Sequence, residues 1–440
     1  EKRDGRVKGR GVANGSEQRG DIPKEEAASP TASLESIILT SIVEAHEGRE
    51  VATCNMPNAF IQTDAEEEDR VTVRLVGKTA ESLVRTAPEL CRPFITVEKG
   101  KNVSCVEALK AICGTLKAAL LFCKKLRKWL ESIGFKIDLC DPCVANKMIN
   151  GKQFTIVWHV DDLKISHMDS KEVDKFIKQS QVKFEDEVGK VKVSCGKTHD
   201  FLGMILDFSS PGKVKVNVVE CVKKMIEDFP EDDDTMAIAP AALHLFNVRD
   251  DGEKLPEDKA VSFHDVVARG SFVCERARPD IQPAVAFLTT RASQPDEDDW
   301  KKLRRMIDCL KGTPNRILTP SADGAWVPKW HVDVSHAVHK DMRSHTGGCM
   351  TPGKGSAHTA SLKQKINARS STEGESVGAD DMMGPILWTN CFSEEQGHKS
   401  EDALVCQDNE SAVLSEKNGK SSSGKRIKHI NVRHFFMVPN

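Results

Sequence analysis

Apolar positions along the chain alternate between helical and strand-like spacing. LESIILTSIVEAHE, inside residues 33–47, has the spacing of a helix. VATCNMPNAFIQTD, residues 51–64, reads as a buried strand running into a loop. Residues 104–134 are expected to be the longest helical region, with an amphipathic second half, LLFCKKLRKWLESIGF, that ends at Gly134. QFTIVWHV and LKIS flank an acidic pair within 153–166 and predict a hairpin. Residues 171–188 look helical. FLGMILDF (201–208) and KVKVNVV (213–219) predict paired strands around SSPG. Residues 229–260 are acidic and contain proline, a loop and a first candidate domain boundary. Helical spacing returns over 261–312, and TPSADG (319–324) reads as a linker. Beyond it come strands in WVPKWHVDVS and GGCMTP, a helix from about Ser371, a strand in ALVCQDN and a further helix. Residues 1–30 are polar and Gly-rich. The chain shows no internal repeat.

A chain of 440 residues is too long for one core, so two or three domains are expected. Hydrophobic residues make up 39% and charged residues 29%, as in a somewhat polar globular protein. The net charge of −3 provides no overall basic field, so any contact with nucleic acid must come from local patches. The apolar run Ala108–Cys123 is interrupted by Lys110 and Lys117, and no membrane-spanning helix is expected. EKRDGRVKGRG at the start lacks the apolar core of a signal peptide, which points to an intracellular protein cut from something longer. Tyrosine is absent, while cysteine numbers 14. The cysteines are scattered, so a disulfide framework is not expected.

Asp161-Asp162 sits at the tip of the predicted hairpin. Phosphoryl transfer to a nucleic-acid 3′ end uses two Mg²⁺ ions held by carboxylates, and a tight turn can aim adjacent carboxylates from a rigid base. Taken alone, the dipeptide is better described as an ordinary solvated turn, since Asp favours turns.

The neighbouring segments narrow the reading. VKGRGVANG (7–15) is similar to K-A-R-L-V-A-K-G, NMPNAFIQ (55–62) to D-V-K-x-A-F-L, and ALKAICGTLKAALLF (108–122) to S-L-Y-G-L-K-Q-A-P-x-x-W. WHVDDLKIS (158–166) resembles Y-V-D-D-L-L-I. FLGMIL (201–206) matches F-L-G-I-x-I. ARPDIQPAVAFL (277–288) resembles T-R-P-D-I-x-x-A-V, and LKGT (310–313) is shared outright. In this order, over nearly the whole chain, they resemble the reverse transcriptase–RNase H part of copia-type retrotransposon polyproteins.

The resemblance implies an α+β architecture. A right-hand polymerase of fingers, palm and thumb would span 1–245, a connection 246–324, and an α/β RNase H-like domain 325–440. It implies an RNA-directed DNA polymerase with RNase H activity, using two Mg²⁺ ions per active site. RNA template, DNA primer, RNA–DNA hybrid and dNTPs would be its partners. Capsid, protease and integrase would lie outside this chain. A cytoplasmic virus-like particle or the nucleus would be its place. Asp161 and Asp162 would hold palm metals. Lys8, Arg10, Phe60, Gly114 and Lys117 would contact the nucleotide, with Phe60 screening out the ribose 2′-hydroxyl. After the linker, Asp333 in KWHVDVS, Glu375 in SSTEGESVGADD (resembling S-S-T-E-A-E-Y) and Asp408 in VCQDNESA (resembling V-x-x-D-N-x-S-A) would hold the RNase H metals. Strand alternation sets Asp333 opposite Val332 and Val334. The family's H-I-D-I-R is HINVR here, with Asn431 in place of a fourth acid.

One departure affects the chemistry. Where the family's first palm carboxylate belongs, this chain has Asn55, and a neutral amide oxygen binds Mg²⁺ far more weakly. Cys113, Cys309 and His434 stand where the family usually has Tyr. Tyr becomes Cys or His, and Asp becomes Asn, by single transitions. The pattern therefore admits a second function: a catalytically inactive relic or nucleic-acid-binding remnant. Unusual codon usage or transcript editing would explain the same substitutions.

Other motifs carry less. HAVHKDMRSH (336–345) has no common zinc spacing, and CDPC (140–143) is a lone C-x-x-C. GKSSSGKR (419–426) nearly spells a phosphate loop but ends in Arg and follows a helix. KKLRK (124–128) and KKLRR (301–305) read equally as phosphate-tracking patches or solvated helix faces.

Overall fold

The computed structural model describes residues 11–186, 189–231, 234–399 and 403–418. After the single turn α1 (Lys24–Ala27), α2 (Leu34–Glu47) starts at Ser33, whose hydroxyl accepts the Ser36 N–H, and stops at Gly48, φ 70°. Every residue from Ser36 to Ala45 is buried, so α2 is a core helix covered all round. β1 (Glu50–Asn55) follows it.

The helix expected over 104–134 is replaced in its first half by a strand. β2 (Val71–Val76), α3 (Lys78–Thr86), α4 (Pro88–Cys91), β3 (Thr96–Glu98) and β4 (Lys101–Ala108) form an outlying unit whose antiparallel sheet runs β2-β4-β3. VSCVEA is paired with β2 from Val71↔Ala108 to Val76↔Val103, and the Lys101-Asn102 end pairs with β3. Gly114, at φ 94°, then turns the chain before α5 (Ala118–Ser132) begins.

β5 (Lys136–Ile137), β6 (Val144–Ile149), β7 (Lys152–His159), β8 (Asp162–His167), α6 (Ser170–Phe184) and β9 (Lys192–Cys195) complete the main layer. Its six-stranded sheet has the order β5-β6-β7-β8-β1-β9. On one face α5 and α6 pack through Trp129, Phe176 and Phe184 onto Phe154 and Phe135. On the other lies α2, where the wholly buried Lys164 ammonium binds Glu44 and the Thr40 hydroxyl.

FLGMILDF is bent at Leu202-Gly203 into a hairpin of β10 (Thr198–Phe201) and β11 (Met204–Asp207), and β12 (Lys215–Asn217) pairs with β11 as the sequence predicts. α7 (Val219–Glu227), α8 (Glu257–Arg276), α9 (Gln282–Arg291) and α10 (Glu297–Gly312) supply the helical middle. α10 opens with a capping box between Asp296 and Asp299.

In the last part come β13 (Ser321–Ala322), β14 (Lys329–Ser335), β15 (His345–Thr351), β16 (Gly353–Lys354), β17 (His358–Lys363), α11 (Ser371–Glu395), β18 (Leu404–Cys406) and α12 (Glu410–Asn418). The four-stranded sheet runs β17-β15-β14-β18, with β14 and β18 parallel. The TPSADG stretch is not a free linker: β13, within it, pairs with β16.

α11 also docks on the main sheet. Trp388 Nε1 donates to the Cys140 carbonyl at 3.0 Å, and Gln396 Nε2 to Asp138 at 3.1 Å. A disulfide joins Cys140 to Cys391, while the other twelve cysteines are free. CDPC is therefore split between a bridge and the buried thiol of Cys143. Partners 251 residues apart leave no spacing signal to read.

Candidate active sites

The first site is built by strand pairing. His159↔Asp162 closes a two-residue turn, Val160-Asp161, between β7 and β8. Val160 takes φ 57°, a costly conformation for a β-branched residue. β1 lies beside β8 with Asn55 directly opposite Asp162. Asn55 Nδ2 donates to Asp162 Oδ1 at 2.6 Å and to Asp161 Oδ2 at 3.4 Å. The Met56 N–H donates to the Asp161 carbonyl at 2.8 Å, which ties the loop after β1 to the turn. The three residues singled out in the sequence thus meet at one point.

Their donor set does not suit a pair of divalent cations. Ionised carboxylates only accept hydrogen bonds, so the amide must turn its NH₂ toward them and its oxygen away. Asn55 occupies the carboxylates as a hydrogen-bond donor where a cation requires oxygen ligands.

The flanking candidates make contacts within the protein. Phe60 is half-buried and packs against both the main core and a small cluster of Ala65, Ala111, Ala118 and Leu121. A Cβ on Gly114 would lie 2.1 Å from the Ala13 carbonyl, and the Ala13 N–H donates to Cys113 at 2.8 Å. Gly114 is therefore required for close backbone approach. Lys117 Nζ lies 2.8 Å from Asp69, whose hydrogen bond raises the lysine's pKa. Lys8 and Arg10 lie outside the described residues.

The second site joins residues far apart in sequence. In β14, Trp330, Val332 and Val334 are buried and Asp333 faces outward, as alternation requires. The parallel register sets His331 against Cys406, so Asp333 and Asp408, each two residues further on, are level. α11 begins at Ser370, whose hydroxyl accepts the Glu373 N–H, and presents Glu375 in its first turns. Gly374 and Gly378 let this helix lie against Val334; a Cβ at 378 would be 2.5 Å from Val334 Cγ2. Gln407 Nε2 donates to the Glu375 carbonyl at 2.9 Å and draws Asp408 to the helix. One carboxylate oxygen from each of Asp333, Glu375 and Asp408 lies within 4.8 Å of the others. Three convergent carboxylates suit a hard divalent cation such as Mg²⁺.

A cavity of about 700 Å³ opens over Asp333 and Asp408, with Phe246, Pro279 and Pro283 of the helical middle as one wall. Sequence reading found the acids but missed this wall and the helix glycines. Glycines four apart in α11, facing strand valines, were the available signal. In HAVHKDMRSH, His339 Nε2 and His345 Nδ1 are 3.1 Å apart, and His345 Nε2 is 2.7 Å from Ser361 Oγ. GKSSSGKR, Asn431 and His434 lie outside the described residues.

Residues 1–242 match the family model of reverse transcriptase (RNA-dependent DNA polymerase). Over 98% of its length the chain is 25% identical to the retrovirus-related Pol polyprotein from transposon TNT 1-94 of Nicotiana tabacum. Identity is 24%, over 98%, to that from transposon RE1 of Arabidopsis thaliana. The chain spans 31% and 28% of these curated relatives. Their similarity to it is the distant likeness of copia-type Pol polyproteins. A foamy viral protease–reverse transcriptase in complex with double-stranded DNA aligns with a TM-score of 0.51 at 11% identity. That alignment covers 93% of this chain and 57% of the viral one, a likeness of fold. Among the described residues no helix is long and apolar enough to cross a membrane. With its mixed α+β fold and a family match over more than half its length, the chain belongs to the reverse transcriptase (RNA-dependent DNA polymerase) family.

Proposed function

We propose that this chain is the reverse transcriptase–RNase H part of a copia-type retrotransposon, with a hydrolytic site intact and a polymerase site impaired. The observation that carries this reading is the meeting of Asp333, Glu375 and Asp408 within 4.8 Å, against the amide-capped pair Asp161-Asp162. Bound Mg²⁺ would supply Lewis-acid stabilisation and an activated water or hydroxyl. The chain's own part is positioning: Asp333, Glu375 and Asp408 hold the hydrolytic centre, and the groove beneath Phe246 and Pro279 admits the RNA strand of a hybrid. At the other site Asp161 and Asp162 are the metal ligands left, Asn55 is the degenerate third, and Phe60, Gly114 and Lys117 line the nucleotide's path.

The same reading divides the chain into polymerase (1–245), connection (246–324) and RNase H-like (325–440) parts. Separate sheets on either side of the helical middle support it. The pairing of β13 with β16 favours ending the connection a few residues before 324. RNA template, DNA primer, hybrid and dNTPs are the proposed partners, in a virus-like particle or the nucleus. Asn55 favours a second reading, a relic without turnover.

Primer extension on an RNA template by the parent and by Asn55→Asp, with cleavage of the RNA strand scored in the same tubes, tests both. Cleavage by the parent with extension only by Asn55→Asp supports the proposal. Extension by the parent overturns the reading of Asn55, and silence from both proteins in both assays leaves the relic.

A further inference from the structure

Six lysines gather on the outer surface of α5 and α6. Lys124 and Lys128 are one turn apart on α5; Lys171, Lys175 and Lys178 follow at i, i+4 and i+7 on α6, with Lys183 beyond them. All six are exposed. Lys175 pairs with Glu172 at 3.4 Å, and the other five make no ion pair among the described residues. A groove of about 650 Å³ runs between the helices, floored by Trp129 and Ile133 and walled by the α6 lysines, with Asp174 among them. A second groove, of about 560 Å³, meets it at Trp129 and Lys183 and carries Lys124 and Lys128. Its far wall is acidic, with Asp64, Glu66 and Asp69. The acids bound the basic surface on that side, and Asp69 is already taken by Lys117.

The position of this surface separates it from the Asp161-Asp162 turn, and neither of its grooves shares a lining residue with the cavity over Asp333 and Asp408. Asp162 and Lys164 share a face of β8 by alternation, and Lys164 meets Glu44 of α2. α5 and α6 cover the opposite face through Trp129, Phe176 and Phe154. A strand held at the Asp161-Asp162 turn is on the other side of the sheet from these lysines. A concentrated basic surface on a chain of net charge −3 is also unexpected from composition alone.

We propose that the lysine surface of α5 and α6 binds a second stretch of single-stranded nucleic acid through its phosphates, apart from either carboxylate site. Lysine ammoniums act as point charges and read no base, so the grip is independent of sequence and weakens with salt. RNA and DNA strands offer the same phosphates. An enzyme that copies a long template benefits from holding the strand away from the cleft.

The test is equilibrium binding of a fluorescein-labelled single-stranded RNA, followed by anisotropy across a salt series. The parent is compared with the combined variant Lys171→Gln, Lys175→Gln, Lys178→Gln, Lys183→Gln. Four lost phosphate contacts should weaken binding about a hundredfold near physiological salt and flatten the log–log salt slope by about 3. The corresponding Lys→Arg variant should bind as the parent does, which separates lost charge from lost fold. A DNA strand of the same sequence should show the same loss. An unchanged Kd and slope in the Gln variant overturns the proposal. So does a loss confined to one kind of strand, or equal weakening in the Arg variant. Phosphatidylserine vesicles retained by the parent and released by the Gln variant, with RNA affinity unchanged, would make the surface a membrane contact instead. The readout is binding, so it stands apart from the cleavage and extension that test the catalytic reading.

Discussion

Asn55 and Asp162 face each other across the β1–β8 ladder, and the Asn55 amide donates to the Asp162 carboxylate at 2.6 Å. The amide neutralises nothing, but it satisfies acceptors that a cation would otherwise claim. Asn55→Asp exchanges that hydrogen bond for a third carboxylate. In Mg²⁺ the variant is expected to extend a primer about a thousandfold faster than the parent, or more, as a recovered metal ligand implies. In chelator the same variant should be less stable by about 2 kcal/mol, because a bond to a charged group is lost and like charges are brought together. Paired extension assays and urea melts, with and without Mg²⁺, check both signs. A variant equal to the parent in each would remove position 55 from the site.

Asp333, Glu375 and Asp408 repel one another in the absence of a cation. Millimolar Mg²⁺ should therefore raise the melting temperature, by the equivalent of about 2.7 kcal/mol when the ion is at a hundred times its Kd. Asp333→Asn should abolish RNA-strand cleavage and most of the Mg²⁺-dependent rise. In chelator it should melt at or above the parent, since one repulsive charge is gone. Calorimetry of both proteins in Mg²⁺ and in chelator decides. A Mg²⁺ response that survives Asp333→Asn would place the bound ion elsewhere.

Both carboxylate groups were legible because local rules place their members. A two-residue turn between β-rich runs sets Asp161 and Asp162 at a hairpin tip, and alternation exposes Asp333 beside buried Val332 and Val334. What was missed depends on distant partners. Residues 104–108 read as helix in isolation and become strand because β2 lies ready to pair with them. Cys140 and Cys391 meet only because α11 docks across the main sheet. The identity of Asn55 was visible, but its donation to both carboxylates follows from a strand register that a single sequence does not display. The positive φ of Gly114 and the nearness of the Ala13 carbonyl give it a backbone role as well, which depends on a chain segment a hundred residues earlier.

Gly378 sets the distance between α11 and β14. A methyl group there would meet Val334 Cγ2 at 2.5 Å, with Val332 and Thr346 side chains at 3.5 Å. The helix interior would favour Ala over Gly by about 1 kcal/mol, but overpacking costs about 1–3 kcal/mol, so net destabilisation is expected. The shift also moves Glu375, one turn earlier, away from Asp333. Gly378→Ala should lower the urea midpoint and reduce RNA-strand cleavage by more than the folded fraction accounts for. Gly384→Ala, where a Cβ meets nothing within 4 Å apart from its chain neighbours, should lower cleavage no further than the folded fraction does, because Pro385 next to it disfavours helix for Ala but nothing of β14 is touched. Equal behaviour of the two variants would dismiss the packing argument.

His345 links stability to pH. Burial, with His339 beside it, pushes its imidazole down to about 4. The unfolded chain's imidazole takes up a proton near the ordinary value of about 6.5, while the folded one stays neutral until near 4. Stability contributed by the neutral ring is thus complete above 6.5 and is lost as pH falls through the window down to about 4. The loss should reach about 2 kcal/mol by about pH 5. Glu47, held down to about 2 by hydrogen bonds from His398 and Arg49 despite burial, titrates below this window. Asp138, pushed up to about 6 by burial, acts with the opposite sign and masks part of the loss in the parent. Comparing the parent with His345→Gln cancels both contributions. Urea melts near pH 7 and pH 5 should show the parent losing about 2 kcal/mol more than the variant. Parallel losses would mean that His345 takes up its proton in the folded chain as readily as in the unfolded one.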